Sequence, residues 1–117
     1  MKHLLAVLCC LTALAHAGVV CRGIETNYAP DQYGSVQIVL RQTTENTWEG
    51  STTHFSFAVR GQIVGGVTYL QPSITPVADP ETRVEVPEVE LPIGIYTAPQ
   101  LVLTRGTLSG SLHCYHN

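Results

Sequence analysis

The chain has 117 residues, six Lys and Arg against nine Asp and Glu, and a net charge of −3 at pH 7. Its basic residues are scattered, which excludes the clustered phosphate neutralisation that nucleic acids and anionic membranes require. Its length suits one domain with a modest core.

Lys2 and His3 precede an apolar run, residues 4–14, that is too short to cross a bilayer as a helix. Ala15-His16-Ala17 then matches the small-x-small cleavage pattern. Residues 1–17 therefore read as a secretory signal peptide, and 18–117 as a single secreted β-sandwich domain without a transmembrane segment. Removing Lys2 leaves five Arg against nine carboxylates, a net charge of −4 with His neutral.

Two cysteines remain, Cys21 and Cys114. In an oxidising compartment they are expected to pair with each other. The bridge would close nearly the whole chain into one loop, worth about 4–5 kcal/mol in the chain-entropy model.

Residues 19–24 (VVCRGI) form a first strand candidate, followed by a turn-rich stretch, NYAPDQYG. In residues 35–41, Val36, Ile38 and Leu40 face one way and Ser35, Gln37 and Arg41 the other, with Val39 out of pattern. That is the period of a half-buried strand. Residues 42–51 (QTTENTWEGS) are polar and read as a connection, in which Trp48 is a candidate binding residue; the alternative is that it folds back to cap the core. Residues 52–60 alternate again, with Phe55, Phe57 and Val59 on one face. Residues 62–70 form a further strand, whose Gly65-Gly66 marks a bulge, a bend or a hairpin turn.

Residues 71–92 hold five prolines and five of the nine acidic residues. The prolines mark an edge strand. Val84 and Val86 share one parity, Val89 and Leu91 the other, so a bulge or a change of sheet is expected near Pro87. Glu85, Glu88 and Glu90 are candidates for a binding surface, although charge and proline also guard an edge against aggregation. In the tail, residues 101–104 and 107–115 are strands around an Arg105-Gly106 turn, with Leu108, Gly110, Leu112 and Cys114 on the core face.

No segment beyond the signal shows helical periodicity over three turns. About seven short strands are expected in an all-β, small antiparallel β-sandwich, immunoglobulin-like or similar, with one disulfide.

Residues 92–114, with their PIGIY start and GTLSGSLHC end, resemble the last hairpin of the ML family of secreted lipid-binding sandwiches. Those domains also bridge an early cysteine to a late one. The resemblance implies a small apolar ligand held between two sheets.

His54, His113 and His116 lack the spacing of a zinc site, and no nucleophile elbow, phosphate loop or glycosylation acceptor is present. The sequence therefore leads to a secreted, non-enzymatic binding or interaction protein with no cofactor. Its partner would be an extracellular protein. The alternative is a carrier of a small apolar ligand or lipid; third comes a small secreted hydrolase.

Overall fold

Cys21 and Cys114 lie directly opposite each other on two antiparallel strands, β1 (Val19–Asn27) and β10 (Leu108–His116). They are joined by a disulfide with Cα atoms 4.1 Å apart. The close spacing is that of a non-hydrogen-bonded pair, in keeping with the Cys21 carbonyl turning the other way to accept from the Leu40 N–H at 2.8 Å. The bridge thus staples neighbouring strands within one sheet. This computed structural model describes residues 18–90 and 99–116. The expected signal peptide, and the start of the tail at Leu91 and Pro92, lie outside the described residues.

The other strands are β2 (Gly34–Val39), β3 (Arg41–Thr44), β4 (Thr47–Ser51), β5 (Phe55–Val64), β6 (Val67–Pro76), β7 (Val84–Glu85), β8 (Val89–Glu90) and β9 (Leu101–Arg105). One sheet runs β2-β1-β10-β9; the other runs β3-β4-β5-β6-β7, with β8 also on β6. All pairings are antiparallel, and the two sheets pack as a small β-sandwich. The larger sheet is a meander in sequence order, unlike the interleaved order of an immunoglobulin domain.

Alternation drives the core. Val19, Cys21, Leu112 and Cys114 meet Phe55, Phe57, Val59, Leu70 and Ile74 between the sheets. The rings of Phe55 and Phe57 lie on glycines of the facing sheet: a Cβ on Gly23 would come within 2.7 Å of Phe57, and one on Gly110 within 3.0 Å of Phe55. Two bulky rings therefore fit because two facing positions carry no side chain.

Three readings need correcting. Residues 42–51 are not a connection. They form the β3–β4 hairpin, and Trp48 is only 2% exposed. It sits opposite Val59 on the inner face and lies over Gly61 beside Leu70, so it caps the core and is withdrawn from the binding surface. Second, residues 71–76 belong to β6, which has a neighbour on each side, and Pro72 and Pro76 are buried. Pro72 is tolerated because its carbonyl accepts from Val86 N–H at 3.2 Å on the β7 side. A strand residue's N–H and C=O point the same way, so the missing donor faces only the short outer strands. Third, the tail turn is Gly106-Thr107, since Arg105 already pairs with Leu108. Gly106 supplies the positive φ of 60° that a Gly-X hairpin turn requires.

Of the options for Gly65-Gly66, the hairpin turn is the one adopted, with φ of 60° and 81°. The parity change near Pro87 is a one-residue bulge: three steps along β6 from Leu70 to Ser73 oppose four steps from Glu85 to Val89. This segment is the sheet edge, as its prolines and acids suggest.

Candidate functional site

Four connections meet at one end of the sandwich: residues 28–33, 52–54 and 77–83 and the Gly106-Thr107 turn. Hydrogen bonds tie them to one another. Tyr28 N–H donates to the Thr107 carbonyl at 2.7 Å, and Val77 N–H donates to the His54 carbonyl at 2.9 Å. The Asn27 side chain accepts from Ala29 N–H at 3.0 Å and starts the first loop.

Two bridges cross between the sheets here. Glu25 follows Val19, Cys21 and Gly23 in the inward parity of β1, so a carboxylate enters the mouth of the sandwich. One of its oxygens accepts from the Thr52 hydroxyl at 2.7 Å and from His54 N–H at 2.8 Å. The other meets His54 Nδ1 at 2.8 Å. The Glu25 side chain is 11% exposed and that of His54 is 50% exposed. Burial alone would raise the Glu25 carboxyl, but the bonds from the His54 ring, the Thr52 hydroxyl and the His54 N–H, with the charge of a protonated His54, together hold it below the usual glutamate value. The second bridge is looser: Arg105 Nη2 lies 3.8 Å from Asp79 Oδ2.

Between these bridges opens a cleft of about 340 Å³. Phe55, Pro76, Ala78 and Leu108 give it an apolar lining, and His54 and Arg105 supply cationic or polar groups. On the 28–33 loop, tied to the Gly106-Thr107 turn through the Tyr28 N–H, Tyr28 and Tyr33 stack edge-to-face with ring centroids 5.9 Å apart. They are 57% and 69% exposed.

A carboxylate bonded to Nδ1 holds the proton of a neutral imidazole there and leaves Nε2 as an acceptor. That is the base and orienter of a hydrolytic triad. The hydroxyl in this cluster, however, belongs to Thr52 and donates to Glu25 rather than approaching Nε2. The arrangement braces a loop and presents a polar nitrogen. Among the described residues, no group of three or more His, Cys, Asp and Glu could hold a metal ion.

The acidic candidates lie elsewhere, along β7 and β8. Glu85 accepts from Gln71 at 2.6 Å and pairs with Arg83 at 3.0 Å. Glu88 accepts from Gln62 at 2.7 Å. All three glutamates are exposed, and two of them are held by bonds within their own sheet region. Sequence reasoning missed the loop end because its members are far apart along the chain. The available signal was two tyrosines in a turn-rich stretch.

No family model matches the chain, and it matches neither a curated protein nor a solved structure. Among the described residues no helix is long and apolar enough to cross a membrane.

Proposed function

We propose that the protein is a secreted, non-enzymatic interaction module that binds an extracellular protein through its loop end. The observation that carries this reading is the exposed Tyr28–Tyr33 pair at the same loop end as a cleft lined by apolar side chains together with His54 and Arg105. Tyrosines on loops anchored by a rigid sandwich provide large contact area at low entropic cost. Truncating such residues typically weakens binding by about 2 kcal/mol or more. The buried disulfide supports an oxidising compartment.

Cross-linking and pull-down from the secreting fluid, with wild type and a Tyr28→Ala/Tyr33→Ala variant side by side, tests the reading. A partner retained by wild type and lost by the equally stable variant is expected. A partner retained equally by both would overturn it.

The second reading, a carrier of a small apolar ligand, is favoured by the cleft's apolar lining. The aromatic rings packed onto Gly23 and Gly110 weigh against a ligand held deeper between the sheets. A hydrophobic dye such as ANS, titrated against wild type and Leu108→Glu, separates the two readings.

A further inference from the structure

The edges of the two sheets are defended unequally. β3 begins with Arg41. The β7–β8 edge carries Pro87, Glu85, Glu88 and Glu90 and a bulge. β9 closes on Arg105. β2, by contrast, reads GSVQIV, with no charge and no proline, and only Ile38 is even half-buried. Val36 and Val39 are 57% and 59% exposed. Exposed edge strands normally carry charge, proline or a bulge, because their free N–H and C=O groups template pairing with another chain.

The backbone shows which groups are free. Leu40 N–H bonds to β1, so by alternation Val36 and Ile38 also turn their backbone groups toward β1. Ser35, Gln37 and Val39 turn theirs to an edge that no other strand among the described residues covers. The Ser35 hydroxyl lies 3.2 Å from that of Thr26, as expected for a non-hydrogen-bonded pair, where side chains come closest.

We infer that β2 is a dimerisation edge: two copies of this chain join their β2 strands antiparallel about a two-fold axis at Gln37, extending the four-stranded sheet across the pair. In that register Gln37 faces Gln37, and Ser35 of each copy faces Val39 of the other. These are the residues with free backbone groups, so each pair exchanges two backbone hydrogen bonds. Val36 of one copy then faces Ile38 of the other on the inner side, a β-branched pair that covers the exposed Val36. The strand is complementary to itself, as a two-fold interface demands. No charge in β2 meets its own image, and the acidic segment lies at the far edge of the other sheet, beyond β6. One strand pair buries less than about 1,200 Å², so the association is weak and concentration-dependent.

Sedimentation velocity over roughly micromolar to near-millimolar concentrations should show a reversible monomer–dimer equilibrium. Over the same range, amide exchange at Ser35, Gln37 and Val39 should slow by about tenfold or more while Val36 and Ile38 stay unchanged. Gln37→Pro removes only an outward N–H and should abolish the dimer without touching the β1 ladder. Gln37→Lys sets two like charges against each other at the two-fold axis and should do the same, so the test survives if the proline variant misfolds. A protein that stays monomeric throughout, a dimer unaffected by the substitutions, or concentration-dependent protection at another edge would overturn the inference.

Discussion

The side-chain amide of Gln100 takes both backbone hydrogen bonds of Cys114. Its Nε2 donates to the Cys114 carbonyl at 2.8 Å, and its Oε1 accepts from the Cys114 N–H at 2.7 Å. β9 pairs with β10 only as far as Leu101 opposite Leu112. One glutamine therefore stands in for the missing strand beside the disulfide. Gln100→Ala should leave both groups without these bonds and cost about 1–3 kcal/mol. Urea denaturation of the oxidised protein checks this; an unchanged midpoint would show that water replaces the amide without loss.

Trp48 should behave as a core residue. Trp48→Ala removes an indole that is packed over Gly61 and Leu70 and is expected to cost about 3–5 kcal/mol. In a domain of this size that lowers Tm by well over ten degrees. Thermal unfolding followed by circular dichroism measures it. A shift of only a few degrees would return Trp48 to the surface.

Glu25 predicts a pH dependence. Its carboxyl is held below the usual value in the folded state, so the unfolded chain takes up the proton first as pH falls. The stabilisation is fully present above about pH 4.3, the unfolded value, and is lost as pH drops toward the folded value. Tm should therefore fall through this acid range, and Glu25→Gln should flatten part of the slope. Parallel slopes for the two proteins would show that the bridge contributes nothing.

The acidic edge is expected to protect rather than bind. A triple change of Glu85, Glu88 and Glu90 to Lys should keep the protein soluble, because Lys guards an edge as Glu does, whereas Val at the same positions should cause aggregation. Partner association measured at two salt concentrations decides. A tenfold slower rate in the Lys variant would identify these charges as steering groups.

Much of the sandwich was legible because strand alternation is local. The parity of Phe55, Phe57 and Val59, of Leu112 and Cys114, and the slip at Pro87 all follow from a two-residue period that a sequence displays directly. The disulfide pairing follows from there being two cysteines outside the expected signal peptide. Register and neighbours are different, since they depend on which strand lies beside which. Trp48 looked exposed among polar residues, yet β3 and β4 pair and turn it inward. Pro72 looked like an edge residue, yet its missing donor faces the weak side of an otherwise paired strand. Glu25, Thr52 and His54 carry no spacing signal, and only the packing of β1 against the 52–54 turn brings them together. Nor does GSVQIV announce a free edge, because that property belongs to the order of strands in the sheet.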